Sequence, residues 1–160
     1  MKLKLLFTGA SGFLGNNVLP LVQKDYEVKT LGLTKTDDYF VNVATSEPQL
    51  DQTFDIILHA AGKAHMVPKS EEEKKLFFDI NFQGAVNLCK ALESSGFPKA
   101  FIFISTVAVY GLEFGENISE DHPLNGKDPY ALSKIQAEEF LTDWCARNNI
   151  TLGIIRPSLI

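Results

Sequence analysis

The sequence is poor in cysteine, with only Cys89 and Cys145 among its 160 residues. They lie far apart and belong to no Cys-x-x-Cys or Cys/His spacing, which argues against a disulfide framework and a structural zinc site. Both fall on expected helix faces, where a thiol serves as a small buried hydrophobe. Positive charge is also scarce: 15 Lys and Arg against 20 Asp and Glu leave a formal net charge of −5. No basic stripe of the kind that tracks a phosphate backbone is present, so no nucleic-acid partner is expected. No apolar run approaches a membrane span, so no membrane partner is expected either. The apolar start, Leu3 to Phe7, is too short for a secretion signal and runs straight into a glycine turn. The expected location is cytoplasmic. Repeats, low-complexity segments and internal linkers are missing too, which points to one domain over residues 1–160.

What is present supports a sizeable core, with 45% apolar and 22% charged residues. Leu3 to Phe7, Glu27 to Leu33, Tyr39 to Val43, Phe54 to His59, Lys99 to Ser105 and Thr151 to Arg156 read as strands. Those such as Phe-Asp-Ile-Ile-Leu-His show almost no polar alternation, as strands do when helices cover both faces of a parallel sheet. Helices are expected from the glycine turn to about Lys24, from Ser70 to Ser95, and from Asp128-Pro129 to about Asn148. Glu71, Glu72 and Glu73 suit the start of the second and Gly96 its stop, while Asp128-Pro129 is a cap followed by proline. Residues 111–127 read as a loop. The alternation predicts an α/β fold, a doubly wound parallel sheet of about six strands with helices on both faces.

Gly9, Gly12 and Gly15 stand between the first strand and the first helix. Such a turn must be tight, must let the backbone approach a pyrophosphate, and must let the helix pack hard against the sheet. Its free N–H groups and the positive helix end then meet the phosphates. NAD or NADP is the expected cofactor, with Gly9, Ser11, Gly12, Phe13, Leu14 and Gly15 around it. The end of the second strand should read the adenosine ribose, an acid favouring NAD and an arginine NADP. Here the chain gives Leu31-Gly32-Leu33-Thr34-Lys35-Thr36-Asp37-Asp38, with neither an acid nor an arginine at the strand end. Lys35 is a candidate for a 2′-phosphate and Asp37 for a diol. A solvated loop is the favoured reading of both, and the choice of cofactor stays open.

Tyr130 and Lys134 stand at i and i+4 of the last helix and share one face. A phenol titrating near ~10 needs a fixed positive charge to work as a base at neutral pH. Ser105 and Thr106 close the fifth strand at the carboxyl edge, where hydroxyls can hold a substrate oxygen.

The glycine turn, His59-Ala60-Ala61-Gly62, Asn81-Phe82-Gln83-Gly84, Ser105 to Gly111, Tyr130 to Lys134 and Arg156-Pro157 occur in that order. Together they resemble the extended short-chain dehydrogenase/reductase superfamily, in its NAD-dependent nucleotide-sugar epimerase/dehydratase branch, over essentially the whole chain. The resemblance implies a Rossmann-type domain in which Tyr130 is the acid/base, Lys134 lowers its pKa and holds the nicotinamide ribose, and Thr106 orients the sugar hydroxyl. It further implies cofactor contacts from His59, Ala60, Ala61, Gly62, Asn81 and Ser105, and from Asn42 where the family usually has an Asp near the adenine. Val107-Ala108 stands where sugar 4,6-dehydratases carry Asp-Glu, which favours epimerase or simple 4-keto/4-hydroxy redox chemistry.

Family members continue past the Arg-Pro pair into a substrate domain. The expectation is therefore a truncated form lacking that domain, with a nucleotide sugar as substrate once the other half is supplied. The alternative is a binding-only module that holds the dinucleotide without turnover. His59 is read as a structural residue near the cofactor, Lys63 and His65 as loop residues at the same edge, and Asn81 as steadying neighbouring strand ends. Phe77, Phe78 and Phe82 are read as helical core or interface, and the resemblance implies a homodimer through the long helices.

Overall fold

The computed structural model describes residues 2–64 and 67–158. Strands β1 (Lys4–Thr8), β2 (Glu27–Gly32), β3 (Tyr39–Phe40), β4 (Ile56–His59), β5 (Ala100–Ile104) and β6 (Thr151–Ile155) form one sheet in the order β3-β2-β1-β4-β5-β6. Every pairing is parallel. The helices are α1 (Phe13–Val22), α2 (Glu71–Phe77), α3 (Gly84–Ser95) and α4 (Pro129–Arg147). Strand order reverses between β1 and β4, and beside such a reversal open parallel sheets take ligands at their carboxyl ends. The doubly wound architecture expected from the sequence is present.

Strands β1, β2, β4 and β5 split their side chains between two cores. Leu6, Ile57 and Phe101 pack with Leu88 and Leu92 of α3 and with Leu141 and Trp144 of α4. Leu5, Phe7 and Leu58 face the other way, onto Val18, Leu19 and Val22 of α1. Burying a side chain of this size contributes about 1.5–3 kcal/mol, which is why these strands are apolar on both sides. Cys89 and Cys145 lie in the first core as expected. Burial pushes the Cys145 thiol up to about 11, and Cys89 further, so neither is a ready nucleophile.

Two local readings are corrected and one element is added. The third strand ends at Phe40 instead of Val43: after Val41 N–H donates to Gly32 O at 3.0 Å, the chain turns at Asn42. Asn42 Oδ1 accepts from Ala44 N–H at 3.1 Å, a local bond that competes with the ladder. The helix expected from Ser70 to Ser95 is capped as predicted, with Ser70 Oγ accepting from Glu73 N–H and Gly96 ending it at φ +121°. Its middle, Phe78–Gln83, is a π-helical turn that separates α2 from α3. Val107–Tyr110 forms a 3₁₀ turn that the sequence did not announce.

A polar knot joins β5, α4 and the end of β6. Arg156 meets buried Glu138 through Nε at 3.1 Å and Nη2 at 2.7 Å, and donates from Nη1 to Tyr110 Oη and Glu120 O. Ser105 Oγ donates to Glu138 Oε1. Removing one partner of such a pair leaves a buried charge, whereas replacing both by apolar groups does not. Arg156→Met should therefore cost about 3–5 kcal/mol in urea unfolding. A Glu138→Leu/Arg156→Met double variant should recover most of that loss in the same measurement.

Candidate active site

The glycines of the β1–α1 turn divide by what surrounds them. Gly9 sits at φ +76°, and a Cβ there would lie 2.6 Å from Ala61 N. A Cβ on Gly15 would lie 2.3 Å from Ala10 O. Both are required by packing. Gly12 is different: its Cβ would meet only Gly9 O, at an ordinary 3.4 Å. It is also the N-cap of α1, with no side-chain cap and no acid in the first turn. The first N–H groups of α1 thus have no side-chain acceptor, and a bare Gly12 leaves them approachable. This is a cradle shaped for an anion.

The cradle opens into a cleft of about 780 Å³ at the carboxyl edge of the sheet. Gly9, Gly12, Phe13, Leu14 and Gly15 line one end, Ala60 and Gly62 the floor, and Ser105, Thr106, Tyr130 and Lys134 the far wall. The structure thereby brings together most of the residues singled out in the sequence. Ser11, Asn42, His59, Ala61 and Asn81 do not line it. Ser11 is exposed on the turn, and Asn42 is occupied in its own turn after β3. Ala61 N–H donates to Thr8 Oγ1 at 3.2 Å behind the floor. His65 lies outside the described residues.

His59 and Asn81 act from below. His59 is fully buried, pairs through Nδ1 with Thr8 Oγ1 at 2.6 Å and stacks on Phe103. Burial, helped by the Lys134 charge, holds its pKa down to about 3, so the ring is neutral. Asn81, carried inward by the π turn, accepts from Lys63 N–H at 2.7 Å. Its amide donates to Lys63 O at 3.1 Å and to Ser133 Oγ at 2.9 Å. Ser133 in turn donates to Tyr130 O at 2.7 Å. One side chain thus ties the loop after β4 to the helix that presents Tyr130.

Thr106 and Ser105 part company. Thr106 Oγ1 accepts from Ala108 N–H at 3.2 Å, capping the 3₁₀ turn and leaving its hydrogen to donate. The Ser105 hydroxyl is spent on Glu138. Burial raises the Tyr130 phenol above its ordinary pKa, and a hydrogen bond from Thr106 pulls it part of the way back. Lys134 Nζ donates to Ile104 O at 2.8 Å and lies 4.7 Å from the Phe103 ring centre. Burial lowers Lys134 to about 8, against the field of Glu138. Thr8 and Glu138 were missed in the sequence. The i+4 spacing of Glu138 from Lys134 was the signal available for one of them.

A buried lysine with a lowered pKa binds fewer protons folded than unfolded between about pH 8 and 10.4, so its contribution grows more favourable as pH rises there. Relative to a Lys134→Met variant, the chain should gain on the order of 2 kcal/mol between pH 7.5 and 9.5. Urea unfolding of both proteins across that range reads this difference directly and cancels the opposing slope from the buried thiols.

A model of the NAD dependent epimerase/dehydratase family matches residues 5–160. N-acetyl-alpha-D-glucosaminyl-diphospho-ditrans,octacis-undecaprenol 4-epimerase of Escherichia coli O157:H7 is 36% identical, over 98% of this chain and 48% of its own length. UDP-glucose 4-epimerase of Vibrio cholerae is 30% identical, over 100% and 52%. RMD from Pseudomonas aeruginosa complexed with NADPH superposes with a TM-score of 0.80 at 27% identity, over 99% and 53%. UDP-glucose 4-epimerase of Thermus thermophilus in complex with NAD gives 0.79 at 26%, over 96% and 54%. The chain spans about half the length of these relatives. On this agreement of fold, cleft and sequence, it belongs to the NAD dependent epimerase/dehydratase family.

Proposed function

We propose that this chain binds NAD(P) and carries the acid/base residues of an epimerase or reductase acting at the 4-position of a nucleotide-linked sugar. The observation that carries the reading is the single cleft running from the glycine cradle to Thr106, Tyr130 and Lys134. The bare cap at Gly12, which packing does not require, fits a diphosphate. A bound dinucleotide supplies the acceptor and donor of hydride. The chain supplies the proton chemistry. Tyr130 Oη takes the proton of the sugar 4-hydroxyl on oxidation and returns it on reduction. Thr106, its oxygen held by Ala108 N–H, turns its one hydrogen from Tyr130 to the same substrate oxygen when substrate is bound.

Lys134 stands on the Ile104 carbonyl, one helical turn from Tyr130, where a cofactor ribose and its positive field would both be served. The raised phenol in the structure means that this field, with that of an oxidised nicotinamide, has to bring Tyr130 into working range. Val107 and Ala108 offer no acid for eliminating water, so epimerisation or reduction is favoured over dehydration. The sugars of these two curated relatives ride on UDP and on undecaprenyl diphosphate by name, and a diphosphate-linked sugar is what they share. The proposed assembly is a homodimer through the long helices. Exposed Leu76 on α2 and Leu132 on α4 are apolar groups such a face would cover.

Titration with NADH and NADPH, followed by nicotinamide fluorescence, tests the cofactor. Gly12→Ala should weaken binding about ten-fold or more while urea stability stays within about 0.5 kcal/mol; equal binding would remove the cradle from the argument. Tyr130→Phe should bind cofactor normally and lose about 100-fold or more of UDP- or GDP-sugar-dependent turnover. If the intact chain turns over no faster than this variant, it is a binding-only module.

A further inference from the structure

In dinucleotide-binding folds an acid about 20 residues beyond the glycine turn, at the end of the second strand, takes the adenosine ribose. Here that position is Gly32, the last residue of β2. The space is not empty. A Cβ built on Gly32 would lie 2.7 Å from Asp37 Oδ2 and 3.3 Å from Oδ1, so the Asp37 carboxylate fills the volume a side chain at 32 would take. It is fixed there: Asp37 Oδ2 accepts from Thr34 N–H at 2.9 Å and from Thr34 Oγ1 at 2.5 Å. Asp37 N–H closes the loop onto Thr34 O at 3.0 Å. Oδ1 accepts from no described residue.

By the rule for such folds, this is where the adenosine ribose of a bound dinucleotide would lie. Gly32 shares a strand face with Val28, which packs in the α1-side core. Gly9 N–H donates to Leu31 O at 3.1 Å, so the end of β2 lies beside the glycine turn. The other charges of the loop are otherwise engaged or turned out. Asp38 is bound to Lys29 Nζ at 2.7 Å and to Thr30 N–H at 2.8 Å. Lys35 is exposed and forms no ion pair among the described residues.

Building on the dinucleotide reading above, we propose that Asp37 selects the cofactor. Its carboxylate replaces the missing strand-end acid, Oδ1 accepts from a ribose hydroxyl, and its charge rejects a 2′-phosphate. The chain therefore takes NAD(H) in preference to NADP(H). Solved relatives carry either cofactor, so the shared fold does not decide this.

Fluorescence titrations with NADH and NADPH on three proteins test it. The unaltered chain should bind NADH about ten-fold or more tighter than NADPH. Asp37→Asn keeps an acceptor for Thr34 but loses the charge, and should bring the ratio close to one, chiefly by gaining NADPH affinity. Gly32→Asp placed in an Asp37→Ser background returns the acid to the strand and should restore the preference. Equal or tighter NADPH binding by the unaltered chain overturns the proposal while leaving the cofactor reading intact, and so does an unchanged ratio in Asp37→Asn. A folded chain that binds neither cofactor overturns both.

Discussion

The close backbone approach at the β1–α1 turn is the constraint on which the site depends. Gly9 presses against the backbone of Ala60 and Ala61, and Gly15 against Ala10, at separations no Cβ would allow. The first contact brings the ends of β1 and β4 together at the reversal of strand order. The second seats α1 on the sheet with its N-terminus facing the cleft. Without them the cradle and the Tyr130 wall would not share one cavity. Gly12, between them, is free of packing demands, which separates a requirement of the fold from a requirement of the ligand within seven residues of sequence.

Beneath the cleft lies an unusually polar stratum for a parallel sheet. Thr8, His59, Asn81, Ser133, Lys134 and Glu138 are all buried. Burial of such groups is costly unless they are paired, and nearly every one is. Thr8 meets His59, Asn81 meets Ser133 and the Lys63 backbone, and Glu138 meets Arg156. The exception is His59 Nε2, which has no partner among the described residues. A neutral ring makes that tolerable where a charged one would not be, next to an ammonium.

Legibility in the sequence followed the range of the interactions. The glycine turn, the Asp128-Pro129 cap and the Tyr130–Lys134 spacing are local, and each was read correctly as to place. The strand count and sheet class followed from apolar runs. What escaped was set by distant partners or by competing local bonds. Asn42 ended β3 early by bonding its own backbone. The π turn departs from helical periodicity by inserting a wider loop of hydrogen bonds, which an i, i+4 pattern does not reveal. Glu138 was passed over because Arg156, the partner that holds its buried charge, stands 18 positions on. Asp37 was legible as an acid in a loop, but its position beneath Gly32 belongs to the three-dimensional path of the chain.

The bonds made by Asn81 bear on how the cleft responds to an incoming molecule. They join a loop, a wide helical turn and the first turns of α4 through both faces of a single amide. Lys63, the π turn and the start of α4 are tied together when the polypeptide folds, and association need not supply that loss of freedom. The floor should therefore behave as a rigid template, with recognition proceeding by docking onto it and not by wrapping around the guest.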